Sequence, residues 1–217
     1  MKAETNKKAV KAKKADVKAI VTKAQKAVKE VAVPEVFVQE LKIPRDRVGV
    51  LVGKKGEVKK YIEHKAGVRL EISSDGDVII KGHDNVMIYD VKTIVQAIGR
   101  GFSPDVAMQL FNEQNVFELL DVTDYAGKSK KRLDRLRGRV IGESGRSRMA
   151  IEDLTETNIS VYGKTIGIIG EMEMVALARQ AIDMLLSGAP HGVTYRMVEN
   201  KRREMHRRRI ESMYATD

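Results

Sequence analysis

The chain has 217 residues, enough for one large domain or two of about 100 residues each. It contains no cysteine, which excludes a disulfide framework and any thiolate metal site. No apolar run reaches the roughly 18 residues of a membrane helix, and the N-terminus lacks an apolar signal core, so a soluble cytoplasmic protein is expected. The net charge of +10 is unevenly placed. Residues 1–30 carry ten lysines against Glu4, Asp16 and Glu30, and residues 128–148 carry nine basic groups against Asp134 and Glu143. Residues 194–217 add a smaller basic excess, seven against four. Basic clusters on a mildly acidic body are the footprint of a polyanion partner.

In chain order, residues 1–33 read as a basic tail. Val17, Ile20, Val21, Ala24 and Val28 form a thin stripe at helical spacing before Pro34. Glu35 to Ile43 alternates as a strand and Pro44 stops it. Arg45 to Val52 reads as one or two helical turns, broken by Gly53-Lys54-Lys55-Gly56. Glu57 to Ala66 reads as a helix with Val58, Tyr61 and Ile62 on one face and Gly67 as its C-cap. Val68, Leu70 and Ile72 alternate with polar residues, Asp75-Gly76 turns the chain, and Asp77 to Lys81 returns. Asp84 caps a long helix, about Asn85 to Ile98, and Asp105 to Phe111 forms another turn or two.

The order then restarts. Val116 to Val122 reads as a strand and Ser129 to Ile141 as a strongly basic helix, broken by Gly142-Glu143-Ser144-Gly145. Arg146 to Glu156 reads as a helix with Met149, Ala150 and Leu154 inward. A hairpin follows over Thr157–Tyr162 and Thr165–Ile169, then a long helix over Glu171–Leu186, on which Met172, Met174 and Met184 read as packing residues. Val193 to Met213 reads as an extra basic helix without a strong apolar face. Ile62 falls on Ile151, Glu63 on Glu152 and Leu70 on Ile159, each at an offset of 151 − 62 = 89 residues. One α+β unit therefore occurs twice, a three-stranded sheet covered by three helices on one face. The expected domains are 34–112 and 113–190, with a basic helical extension over 191–217.

Glycine has no side chain to hold a ligand away and takes positive φ at little cost. Two glycines flanking two residues, at the start of a helix whose amides carry partial positive charge, can bring main chain against a phosphate. Lys54 and Lys55 add cations to the first loop, with Lys59 and Lys60 one turn on. A single Gly-x-x-Gly is a weak signal; two in the same frame are a strong one. The stretch Arg47-Val48-Gly49-Val50-Leu51-Val52-Gly53-Lys54-Lys55-Gly56, followed by Gly67-Val68-Arg69-Leu70-Glu71-Ile72, resembles a KH domain. Arg139-Val140-Ile141-Gly142-Glu143-Ser144-Gly145-Arg146-Ser147-Arg148 with Thr157 to Val161 resembles a second copy. Gly138 to Gly142, the strand Thr157 to Gly163 and the end Gly188-Ala189-Pro190-His191-Gly192 make the tandem similar to the archaeal and eukaryotic Dim-two, or partner-of-Nob, family of small-ribosomal-subunit assembly factors, in its archaeal branch.

The resemblance implies two type I KH domains side by side and binding of the three-prime end region of small-subunit ribosomal RNA. It also implies contact with the Nob endonuclease and with the alpha subunit of initiation factor two. A KH module clamps about four nucleotides of single strand. Gly53, Lys54, Lys55, Gly56 and Lys59, with Gly142, Glu143, Ser144, Gly145, Arg146 and Arg148, are the expected backbone contacts. Val48, Val52 and Leu70 or Ile72 would lie under the bases, and Arg69 would reach a base edge or a phosphate. The second loop departs from the pattern, because Glu143 repels phosphate; Arg139, Arg146 and Arg148 are expected to offset it. Lys130, Lys131 and Arg132 belong to the densest basic stretch and are expected to face RNA. His64, His83, His191 and His206 are scattered without metal-ligand spacing, and the carboxylate pairs Asp75/Asp77 and Glu152/Asp153 read as a turn and a helix surface. No catalytic residue, metal or cofactor is expected. The rival readings are another KH adaptor, exosome-cap-like or a protein scaffold, and an RNA-processing enzyme, against which the absence of a convergent acid, base or metal cluster argues.

Overall fold

The computed structural model describes residues 36–214, so the basic tail and its apolar stripe lie outside the described residues. The first unit runs β1 (Phe37–Lys42), α1 (Arg45–Val52), a 3-10 turn (Lys54–Gly56), α2 (Glu57–Ala66), β2 (Arg69–Ile72), β3 (Asp77–Gly82) and α3 (Asn85–Gly99). A short helix α4 (Pro104–Ala107) and a 3-10 turn (Met108–Phe111) lead onward. The second unit adds one short helix to the same order: β4 (Asn115–Asp121), α5 (Thr123–Ala126), α6 (Lys130–Ile141), a 3-10 turn (Glu143–Gly145), α7 (Arg146–Thr155), β5 (Asn158–Tyr162), β6 (Thr165–Glu171) and α8 (Met172–Leu186). The basic helix α9 (His191–Tyr214) closes the described chain. The two sheets are antiparallel, with orders β1-β3-β2 and β4-β6-β5. No helix among the described residues is long and apolar enough to cross a membrane.

Each sheet buries one face under its helices. The inward faces of α2 and α7 follow the repeat more closely than the hydropathy of either helix alone. Ile62 and Ala66 are buried in α2; Ser147, Ile151 and Thr155 are buried in α7, at the same 89-residue offset with Val58 as the partner of Ser147. Tyr61 and Met149, expected inside, are instead 48% and 43% exposed. A four-residue step keeps side chains on one helical face, whereas a bulky apolar residue one or two positions off that face points to water. Met172 is likewise 65% exposed, and the core of α8 is carried by Val175, Leu177, Ala178, Ala181 and Ile182. Val198 of α9 is fully buried in the second core, so the extension is seated on the second unit despite its polar composition.

The two units form one compact body from Phe37 on, and their open sheet faces differ. The first sheet presents mainly charged side chains outward beside Val38 and Ile79, with Lys81 bonded to Glu71 at 2.8 Å and Lys42 to Asp77 at 3.0 Å. The open face of the second is covered by the segment that follows α3. Phe102 packs edge-on against Phe117 of β4, ring centroids 6.0 Å apart, and Ile169 of β6 joins the first core. The Ser160 hydroxyl donates to the Arg100 carbonyl at 2.9 Å, and the Tyr162 hydroxyl to the Asp46 carboxylate at 2.7 Å. A Cβ on Gly167 would stand 2.6 Å from the Phe102 ring and 3.1 Å from that of Phe117. Replacing Gly167 by Ala should therefore overpack the junction and cost about 1–3 kcal/mol. Thermal unfolding measures the loss, and adding Phe102→Leu should recover part of it.

Candidate nucleic-acid interface

The two Gly-x-x-Gly loops have nearly identical backbones. Gly53 and Gly142 take φ/ψ of 72°/178° and 72°/175°, and the third residues, Lys55 and Ser144, take φ of 52° and 54°. Gly56 and Gly145 then open α2 and α7 in the left-handed region, at φ 79° and 81°. The leading glycines are required twice over. A Cβ at Gly53 would lie 2.5 Å from Val58 Cγ2, and one at Gly142 would lie 2.7 Å from the Ser147 amide nitrogen. At Gly56 and Gly145 the nearest atoms are 4.0 and 3.9 Å away, so only the backbone conformation favours glycine there. No side chain caps α2 or α7, which leaves the positive helix end facing outward.

The loops differ in charge. Lys54 and Lys55 are exposed and make no ion pair among the described residues. Lys59 lies one turn on, half-buried, with Nζ 3.9 Å from Glu63. In the second loop Glu143 is paired with Arg146 at 3.0 Å, both groups well exposed. Arg148 lies 3.5 Å from Glu152 and donates to the Ile159 carbonyl at 3.4 Å. Arg139 donates from Nε to the Leu185 carbonyl at 3.0 Å and from Nη2 to the Ala189 carbonyl at 2.6 Å. The three arginines expected to offset Glu143 therefore all have intramolecular partners. The first loop is cationic; the second is close to neutral.

Glu63 and Glu152 take equivalent roles at the edge of the site that composition alone did not single out. Glu63 accepts from the Leu70 amide at 2.8 Å, and Glu152 from the Ile159 amide at 2.7 Å. Both amides lie on the free edges of β2 and β5, since Arg69, Glu71 and Ser73 pair inward with β3. The next edge-facing amides belong to Ile72 and Val161. Glu152, read from its neighbour Asp153 as helix surface, thus caps a strand edge. The signal for it was the constant repeat offset.

The remaining candidates fall into distinct places. Val48 and Val52 are half-buried on α1, with Val48 packed against the first core; Ile72 is half-buried on β2. Leu70 is fully buried, so it lies beneath this surface and offers no area to a ligand. Arg69 is exposed, but it alternates with Leu70 and so stands on the sheet face away from the helices and the loop. Lys130, Lys131 and Arg132 are exposed on the first turn of α6, about 18 Å of helix from Gly142. Cations at a helix N-terminus oppose the helix dipole, so local helix stability does not account for them. Among the described residues no group of three or more His, Asp or Glu is placed to hold a metal ion.

Arg139 has a counterpart that is not at its repeat position. Arg47, one helical turn earlier relative to its glycine, donates to the Ile98 and Phe102 carbonyls at 2.8 and 2.5 Å. In both units an arginine of the helix before the loop thus ties down the C-terminal carbonyls of the long third helix. Hydrogen bonds from a charged donor are worth about 1.5–3 kcal/mol. Arg139→Gln should lower the free energy of unfolding by an amount in that range, as read by chemical denaturation.

A three-stranded antiparallel sheet backed by three helices, with a Gly-x-x-Gly turn between the first two, defines a type I KH domain, and this chain carries two in tandem. A KH-domain profile matches residues 38–97, and one described as eukaryotic-type KH domain, type I, matches residues 116–203. A KH domain-containing protein of Methanocaldococcus jannaschii is 49% identical over 80% of this chain and 78% of its own. The solved Dim2p of Pyrococcus horikoshii is 41% identical, covers 76% of this chain and 99% of its own, and has a TM-score of 0.71. The RNA-binding protein PNO1 of Oryzias latipes is 34% identical over 46% of this chain, which spans 42% of its length. The chain belongs to the Dim2p/PNO1 family of tandem KH proteins.

Proposed function

We propose that this protein is a non-catalytic RNA-binding factor of ribosome biogenesis. It holds the three-prime end region of small-subunit ribosomal RNA as a single strand during assembly and pre-rRNA processing. The observation that carries the reading is the first loop, where an uncapped helix end, an outward-facing turn of main chain and two unpaired lysines coincide. These are the elements of a phosphate cradle. Val48, Val52 and Ile72 supply the adjoining apolar surface, and the Ile72 amide supplies an edge donor. Arg139 is kept for the fold, and Arg69 and the α6 cations for longer-range attraction. The second loop contributes main-chain amides more than charge.

The relatives support this reading. A Dim2p of Pyrococcus horikoshii, 39% identical over 98% of its own chain with a TM-score of 0.73, was solved in a complex with the alpha subunit of initiation factor two and ribosomal RNA. The relative from Chaetomium thermophilum is called a pre-rRNA-processing protein. We extend to this chain, as partners, that alpha subunit and a Nob-type endonuclease to which the held strand is presented. The work is placed in the cytoplasm.

Fluorescence anisotropy tests the proposal with a short strand matching the archaeal three-prime end and a scrambled strand of equal composition. Preference for the ribosomal strand should persist at raised salt. Lys54→Asp with Lys55→Asp should lower affinity at least tenfold and flatten the salt dependence while leaving the unfolding midpoint in place. Unchanged binding by that variant overturns the assignment of the first loop.

A further inference from the structure

The repeat places an arginine in the second groove where the first has an aliphatic side chain. At the common offset of 89, Arg137 of α6 takes the position of Val48, and Ile141 that of Val52. Val48 closes against the first core. Arg137 is 32% exposed in its side chain, and its Nε is buried without a hydrogen-bond acceptor among the described residues. Among the described residues its guanidinium meets only Asp134, Nη1 to Oδ1 at 3.5 Å, the weak limit of a hydrogen bond, and that carboxylate is itself 58% exposed. The neighbouring arginines differ. Arg139 and Arg148 have their guanidinium groups on main-chain carbonyls, and Arg146 is on Glu143. Arg137, at the repeat position of Val48, therefore has donors to spare, and a buried unpaired donor calls for an explanation.

We propose that Arg137 is a base-reading residue of the second groove, selecting a base that presents two adjacent acceptors. The inference rests on the RNA-binding reading above and adds a specificity to it. A guanidinium only donates, and its fork matches a pair of neighbouring acceptors. Guanine offers O6 beside N7, and cytosine offers N3 beside O2. Adenine and uracil set an N–H beside each acceptor on these edges, which opposes a donor-only group. The first groove, with Val48 in this place, has no such reader. Charge and reading are then divided between the domains: the first loop grips backbone through Lys54 and Lys55, and the nearly neutral second loop brings a strand past Arg137.

The test uses the full chain and two labelled single strands of equal length. One is rich in guanine and cytosine; the other has guanine replaced by adenine and cytosine by uracil. Wild type should prefer the first by roughly tenfold, the discrimination of a good bidentate pair. Arg137→Gln should bind both at the weaker affinity. Arg137→Lys keeps the charge but not the fork, so it should keep overall affinity and lose the preference. The Lys54→Asp, Lys55→Asp variant should bind more weakly with the preference intact. Retention of the preference by both Arg137 variants overturns the proposal, as does an equal loss on both strands in Arg137→Gln, which marks a phosphate contact. Failure of wild type to bind either strand overturns the RNA reading itself and this inference with it.

Discussion

The structure depends on a close approach of main chain at the first glycine of each loop. Space for a hydrogen, and not for a methyl group, separates Gly53 from Val58 and Gly142 from Ser147. That contact ends one helix and starts the next within four residues, and so fixes the angle between α1 and α2 and between α6 and α7. The helix end it exposes carries partial positive charge and no side-chain cap. The shape of both loops follows from a steric fact about two hydrogens; their difference in charge does not.

The same unit, built twice, is used differently because one sheet face is covered and the other is not. Phe102, supplied by the segment after α3, takes the space that Gly167 leaves open on β6, and Ile169 reaches into the first core. On the first sheet Ile79 stands where Gly167 does and Lys81 where Ile169 does, and Lys81 is paired with Glu71. Burial on both faces explains why β6 is almost continuously apolar while β3 alternates. It also makes the two loops parts of one body from Phe37 on.

Charge is sorted by partner as well as by place. Arg139, Arg146 and Arg148 around the second loop are held by carbonyls or carboxylates of the protein, whereas Arg137 keeps donors to spare. The lysines of the first loop have no such work. Formal charge near a loop therefore overstates what is available to a ligand, and only the hydrogen-bond partners separate Arg139, which stabilises the fold, from Lys54, which does not.

The sequence by itself determined the element order, the repeat and the two loops. Glycine pairs, hairpin turns and a fixed offset are local or periodic signals, and each has a direct conformational meaning. Helix hydropathy did not determine which face of α2 and α7 is buried: Tyr61 and Met149, apolar enough to be expected inside, face water, and the small residues Ala66, Ser147 and Thr155 lie inside. Only the tertiary structure decided which cations are committed, that Leu70 lies beneath the groove and Arg69 behind the sheet, and that Phe102 closes the second unit. Several of those outcomes turn on contacts between residues far apart in the chain, such as Arg139 with Leu185, 46 positions away, and Tyr162 with Asp46, 116 away. A linear pattern carries the period of an element but not the identity of the atoms that its side chains meet across the fold.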